Sequence, residues 1–415
     1  MKKIIINGNK ELKGQINISG AKNAAVAIIP AAILADDEVT ICNLPEISDI
    51  DSLEEILKFL SVDVRRATET MVINPSNLEN KEIPEAIASK LRASYYFMGA
   101  LLAKDKYVEM YFPGGCNIGE RPINLHLEGF KKLGAIVEEH ENKYIIKAEK
   151  LIGAKIYLDI ASVGATINLM LAAAKAEGTT VIENAAREPE IINVATFLNS
   201  LGAKITGAGT SVIKIIGVEK LHGGFVEVIP DRIEAGTYVI VGALIGNDLT
   251  IQNIIPSHIE ALTTKLQEAG ANIEIGPDYV LCKKSENLTK TNIRTYYFPG
   301  FATDLQQPFT TFLTQCVGSS VIEETIYENR FMHIPYLNEM GANIKANDRK
   351  ATINGKTLLT GKEVVATDLR AGASLVIAGL IADGTTTIDQ SEHILRGYDG
   401  IVEKLSDVGA DITII

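Results

Sequence analysis

One cysteine sits in the most unusual stretch of this sequence. Cys116 lies in Tyr111-Phe112-Pro113-Gly114-Gly115-Cys116-Asn117-Ile118-Gly119-Glu120-Arg121-Pro122-Ile123-Asn124-Leu125-His126, where three glycines and two prolines surround a single thiol. Such a stretch is poor core material, so an accessible thiol is expected. Arg121, five residues on, would favour the thiolate and lower a pKa that is normally about 8.5. The alternative for any cysteine is a small apolar filler, which is the reading for Cys42, Cys282 and Cys316.

A second set of candidates lies where helices should begin: Lys22-Asn23, Arg92, Ser162-Val163-Gly164, Asp231-Arg232, Asp304 and Arg370. A helix N-terminus attracts anions, and Ser or Gly there lets a ligand approach the backbone amides. Cations at that end oppose the helix dipole, so Lys22, Arg92, Arg232 and Arg370 need another reason. Each alone reads as a solvated charge; four at corresponding positions point to a shared anion, a phosphate or carboxylate. Asp304 has two readings, an N-cap or a general base beside that cationic cluster. The polar turns Asn184–Glu190 and Glu328–His333 read mainly as turn and capping chemistry. Arg396, in Arg396-Gly397-Tyr398, also fits the cationic cluster.

A repeat must position these residues. Leu133-Gly134-Ala135, Leu201-Gly202-Ala203, Ala269-Gly270-Ala271, Met340-Gly341-Ala342 and Val408-Gly409-Ala410 recur at a spacing of about 70 residues, and Leu60-Ser61-Val62 is a degenerate first copy. Each unit reads as strands, an apolar Ala-rich helix, a small-residue turn and another strand. Helices such as 165–176 and 371–382 are apolar nearly all round and should be buried. A linear solenoid is the alternative. Its polar end caps are missing, so closure into two domains of three repeats, dividing near Pro230, is expected. The first strand belongs by pattern to the unit that the C-terminus completes.

The chain has 415 residues, 46% apolar and 22% charged, so a large core is available. A net charge of −12 argues against nonspecific nucleic-acid binding. The longest apolar run, Ala24–Ala35, contains Pro30 and is too short to span a bilayer. No signal peptide is read at the start. Four unpaired-looking cysteines and six scattered histidines make no zinc pattern, and a reducing cytoplasm is expected.

Several motifs together are highly specific. Ser19-Gly20-Ala21-Lys22-Asn23-Ala24-Ala25, Pro113-Gly114-Gly115-Cys116, Gly119-Glu120-Arg121-Pro122, Ser162-Val163-Gly164-Ala165-Thr166, Ala185-Ala186-Arg187-Glu188-Pro189-Glu190, Pro230-Asp231-Arg232-Ile233-Glu234, Thr303-Asp304-Leu305-Gln306, Glu328-Asn329-Arg330-Phe331 and Thr367-Asp368-Leu369-Arg370 occur in this order. The chain closely resembles, from end to end, the UDP-N-acetylglucosamine enolpyruvyl transferase (MurA) family. The resemblance implies the inside-out α/β barrel, with domains 22–229 and 1–21 plus 230–415 flanking a cleft that closes on substrate beneath loop 111–126. It implies transfer of enolpyruvyl from phosphoenolpyruvate to the 3-hydroxyl of UDP-N-acetylglucosamine, with release of phosphate, in peptidoglycan synthesis. It implies no metal or redox cofactor, and with the composition above the expectation is a cytoplasmic monomer that binds neither nucleic acid nor membrane.

By the same resemblance Lys22, Asn23, Arg121, Arg370 and Arg396 surround phosphoenolpyruvate. Asn23, Arg92, Arg121, Pro122, Ile123, Asn124, Leu125, Ser162, Val163, Gly164, Asp304 and Ile326 match positions around the UDP-sugar. Cys116 matches the loop cysteine that acts as acid or assists product release and is alkylated by fosfomycin; Asp304 matches the base, and Lys22 and Arg396 join the catalytic set. Two positions depart. Ile160 stands where some relatives carry Lys near the diphosphate, and Asn124 where many carry Asp. The alternatives are a catalytically silent paralogue that binds sugar nucleotide and, more remotely, 5-enolpyruvylshikimate-3-phosphate synthase.

Overall fold

The computed structural model describes residues 2–114 and 123–415. They form two compact units, one of residues 20–114 and 123–229, the other of residues 2–19 and Pro230–Ile415. Each has its own hydrophobic core.

In the N-terminal unit the central helices are Lys22–Ala31, Tyr96–Asp105 and Val163–Ala173. Their sequences carry Ala, Leu, Met and Ile on every side, and in the last of them all residues from Gly164 to Ala173 are buried. Two four-stranded sheets share one order. Lys155–Tyr157 runs parallel to Thr179–Glu183, which is antiparallel to Val212–Ile216, itself antiparallel to Lys204–Thr206. Gly224–Glu227, Val39–Cys42, Thr70–Asn74 and Asp63–Ala67 repeat that arrangement. The third sheet has Tyr107–Tyr111, Lys143–Lys147 and Ile136–Glu139, with Ile83 bridging Met110 in the fourth position. Alternate residues of strands such as Val39–Cys42 are buried, so one face of the sheet packs inward.

The C-terminal unit follows the same plan around Arg232–Ile245, Thr303–Thr314 and Leu369–Ile381. Polar side chains stitch these helices together; Thr311 and Ser374 pair through their hydroxyls at 2.8 Å. The sheet of Glu363–Val365, Thr385–Asp389, Ile4–Asn7 and Asp411–Ile414 places a strand from the start of the chain between two from its end. The architecture is thus α/β, with apolar helices inside and sheets outside in six repeated β/α units.

The repeat signature has a backbone cause. Gly134, Gly202, Gly270, Gly341 and Gly409 lie at φ between 90° and 110°, where a side chain is strained. The degenerate copy puts Ser61 at φ 60° in the same turn, a left-handed conformation that a small polar residue tolerates.

Candidate active site

Lys22 is the first residue of its helix, and Asn23 the second. The Lys22 ammonium meets Asp49 at 2.5 Å with both side chains nearly buried, 12% and 5% exposed. Arg92 opens the short turn Arg92–Tyr95, ahead of Tyr96–Asp105. Ser162 caps Val163–Ala173, its Oγ accepting from the Ala165 amide at 3.2 Å. The next turn is tightly walled: a Cβ on Gly164 would stand 2.6 Å from Tyr95 Oη and 3.1 Å from His126 Cε1. His126 lies in the helix Asn124–Lys132, which also contains Asn124 and Leu125, while Ile123 is buried just ahead of it. The segment read as loop 111–126 is therefore bounded by a strand ending at Tyr111 and a helix beginning at Asn124. Burial, aided by the Arg92 charge, lowers the His126 ring to about 3. It is a neutral imidazole whose Nδ1 takes a hydrogen bond from Asn168 Nδ2 at 2.9 Å, leaving Nε2 as the protonated nitrogen. Ile160, at the departing position, is 53% exposed. Cys116, Arg121 and Pro122 lie outside the described residues.

In the C-terminal unit the helix starts converge. Asp304, at the second position of Thr303–Thr314, meets Arg330 Nη2 through Oδ1 and Arg370 Nη2 through Oδ2, the latter at 3.2 Å. Both arginines are buried, and Asp304 is 26% exposed. Burial alone would raise the Asp304 carboxyl. The charges of Arg370, Arg330 and Arg232 outweigh it and hold the group well below the usual carboxylate range. Arg370 is itself fixed on several sides. Its backbone amide donates to the cap Asp368 at 2.9 Å, and its guanidinium lies over the Tyr398 ring at 5.2 Å. The Tyr398 hydroxyl pairs with Thr237 at 2.9 Å. Arg232 begins its helix over the Phe298 ring, behind the cap Asp231. Arg396 is half-buried at the end of Glu392–Leu395. Ile326 lies in a turn whose amide is tied to Glu324 at 2.8 Å.

Of the two readings of Asp304, the cap falls: Ala302 holds the cap position and no side chain caps this helix. The turn around Glu328–His333 is more than capping chemistry, because Arg330 is a buried ion-pair partner of Asp304. Asp49 was not singled out from the sequence either. A charged residue following Ser48 in the first turn of a helix is ordinary, and only its burial marks it.

Just before Lys22 the backbone is clamped. The Ser19 amide donates to Glu234 at 3.0 Å and its hydroxyl to Asp399 at 2.8 Å, while Lys404 donates to Glu234 at 2.6 Å and to Ser19 Oγ at 2.7 Å. Burial pushes the Glu234 carboxyl up from 4.5 to about 7, with Lys404 pulling the other way. The folded state then holds this proton more tightly than the unfolded chain. Stability from the site is greatest at the acid end and falls as pH rises between those two values. Calorimetry across that window should show the wild-type melting temperature declining relative to Glu234→Gln. Parallel curves would mean that Glu234 ionises without cost.

Among the described residues no His, Cys, Asp and Glu group could hold a metal, and no helix is long and apolar enough to cross a membrane. The C-terminal unit gathers arginines around one carboxylate; the N-terminal unit, taken by itself, holds helix N-termini and a neutral histidine. Such chemistry handles anionic substrates and moves protons. The sequence model of the EPSP synthase family (3-phosphoshikimate 1-carboxyvinyltransferase) matches residues 6–405. Curated relatives narrow this. UDP-N-acetylglucosamine 1-carboxyvinyltransferase 2 of Listeria monocytogenes is 52% identical over 99% of this chain and 97% of its own length. Its counterpart in Bacillus anthracis is 52% identical over 99% and 96%. Among solved structures, the enolpyruvyl transferase NikO from Streptomyces tendae matches at TM-score 0.90 and 26% identity, covering 100% of this chain and 98% of NikO. EPSP synthase from Acinetobacter baumannii shares the fold at TM-score 0.76 and 18% identity, over 100% and 99%. The chain belongs to the 1-carboxyvinyl (enolpyruvyl) transferase family and, within it, to the UDP-N-acetylglucosamine 1-carboxyvinyltransferases.

Proposed function

We propose that this chain transfers the enolpyruvyl group of phosphoenolpyruvate to the 3-hydroxyl of UDP-N-acetylglucosamine, releasing phosphate, as an early step of peptidoglycan synthesis in the cytoplasm. The observation that carries the reading is the near full-length identity to relatives named for this transfer. The Asp304–Arg330–Arg370 cluster supports it chemically.

In the addition step the sugar oxygen bonds to C2 of phosphoenolpyruvate, the C2–C3 π pair takes a proton at C3, and the hydroxyl proton passes to a base. In the elimination step C3 gives up a proton, the double bond re-forms and the C2–O bond to phosphate breaks. An acid and a base suffice, each worth roughly 10²–10⁴-fold. Asp304 is the proposed base: its arginines keep it ionised, the state a base must start from, and a substrate phosphate that competes for Arg370 would restore its basicity. Cys116 is the proposed acid. Lys22, Asn23, Arg121, Arg370 and Arg396 are assigned to phosphoenolpyruvate. Arg92, Arg121, Pro122, Ile123, Asn124, Leu125, Ser162, Val163, Gly164 and Ile326 are assigned to the sugar nucleotide, with Asn23 and Asp304. Neutral His126 leaves the Ser162–Gly164 segment to bind diphosphate through helix amides and hydroxyl rather than through a second cation. The protein is proposed to act as a monomer, with each three-repeat unit a domain, and without nucleic acid or membrane.

The test is phosphate release from phosphoenolpyruvate with and without UDP-N-acetylglucosamine. Release only with the sugar nucleotide is expected; no release with it would leave a silent sugar-nucleotide binder. Fosfomycin is expected to alkylate Cys116 alone. Burial pushes the thiols of Cys282 and Cys316 up to about 12, away from the reactive thiolate. Mass spectrometry after limited treatment should find one adduct on the peptide holding Cys116; first labelling elsewhere would end that assignment.

A further inference from the structure

Glu324 is a buried carboxylate, 1% exposed, that the chemistry above does not use. It directly follows the strand Gly318–Glu323 and accepts hydrogen bonds at both oxygens. Oε1 accepts from Thr295 Oγ1 at 2.9 Å, from the Ile326 amide at 2.8 Å and from the Tyr327 amide at 3.2 Å. Oε2 accepts from Thr303 Oγ1 at 3.0 Å. Thr303 directly precedes Asp304, and its oxygen in turn accepts from Arg330 Nε at 3.3 Å. Arg330, 3% exposed, reaches Asp304 Oδ1 with its Nη2 and lies over the Tyr327 ring at 5.2 Å. One side chain thus holds two things in register: the turn at Ile326, and the guanidinium that fixes Asp304.

The direction of each bond matters. The carboxylate can only accept, so the Thr303 proton points to Glu324 and its lone pair is left for Arg330 Nε. That polarity sets the roll of the Arg330 fork and so the face it offers to Asp304. A neutral hydrophobic or amide side chain of similar volume would fill the space but could not impose it. A buried carboxylate that hydroxyls and backbone amides satisfy is costly to keep, which points to a positional task rather than to stability.

We propose that Glu324 is a positioning residue for the transfer. Through Thr303 and Arg330 it aims the Asp304 carboxylate, and through the Ile326 and Tyr327 amides it holds the turn assigned to the sugar nucleotide. This rests on the reading of Asp304 as base.

Glu324→Gln keeps an oxygen for the two amides and for Thr295, but presents an NH2 group to Thr303 and so reverses the relay. It should lower kcat by about tenfold, the scale expected of a small misplacement. Calorimetric affinity for UDP-N-acetylglucosamine should stay within about twofold, because the turn keeps its acceptor. In an Asp304→Asn background the same change should cost no further kcat, since the two act as one unit. Thr303→Val interrupts the relay from its other end without touching the turn, keeping the idea testable if Glu324→Gln folds poorly. It should reproduce the loss and add nothing to Glu324→Gln. Unchanged kcat in both single variants overturns the proposal, and so does an undiminished loss in the Asp304→Asn background. If the wild type releases no phosphate with UDP-N-acetylglucosamine, the functional reading fails instead. If Asp304→Asn keeps its turnover, the assignment of the base fails.

Discussion

Asp304→Asn should lower turnover by roughly 10²–10⁴-fold, the span of a lost general base, and should also lower the melting temperature. The second effect follows from the geometry. Arg330 and Arg370 are 3% and 4% exposed at their side chains, and both point at this carboxylate. Asparagine keeps the size but removes the carboxylate that two buried guanidiniums share, a defect worth about 3–5 kcal/mol. The Asp304 carboxyl lies well below the usual range. Its pairing therefore contributes stability above the unfolded carboxylate pKa and loses it only as pH falls into strong acid. Phosphate release and differential scanning calorimetry on one preparation check both halves. Turnover within a few-fold of wild type would reduce Asp304 to a binding group, and an unchanged melting temperature would mean that the arginines find other partners.

The second large effect is expected at Arg370. Arg370→Lys keeps the charge but loses the planar fork that reaches Asp304 and the face that lies on Tyr398. The lysine ammonium cannot do both, and the Tyr398–Thr237 pair that backs the ring is left supporting nothing. We expect kcat/KM for phosphoenolpyruvate to fall on the order of a hundredfold, mostly through KM. Steady-state kinetics at saturating UDP-N-acetylglucosamine would measure it. An unaltered KM would move the anion contact to Arg396 or Lys22.

The architecture was legible because it rests on local rules written six times. Gly134, Gly202, Gly270, Gly341 and Gly409 mark turns that demand a left-handed backbone, and the apolar run from Gly164 to Ala173 leaves no face for water. The helix-start charges were legible for the same reason, since corresponding positions of repeats fall at corresponding ends. What the sequence hid was which charge meets which. Arg330 lies 26 residues from Asp304, and Arg370 lies 66 away. Nothing in the spelling of a polar turn separates a buried ion pair from a solvated one. Asp49 and Glu324 were invisible for a related cause: a carboxylate announces itself only when its surroundings exclude water. The cap reading of Asp304 failed because a carboxylate one or two positions inside a helix looks, in sequence, like one placed just before it.

The strand Ile4–Asn7 carries a consequence for biosynthesis. It is made long before either of its two neighbours, Thr385–Asp389 and Asp411–Ile414. The unit of residues 20–229 can collapse as soon as its own strands have left the ribosome. The other must wait with one apolar strand unpaired and its edges open, a state prone to mispairing with neighbouring chains. Folding of that second unit is therefore governed by contacts of very high sequence separation, the slowest kind to form. Its yield in the cell depends on how long the nascent chain is protected.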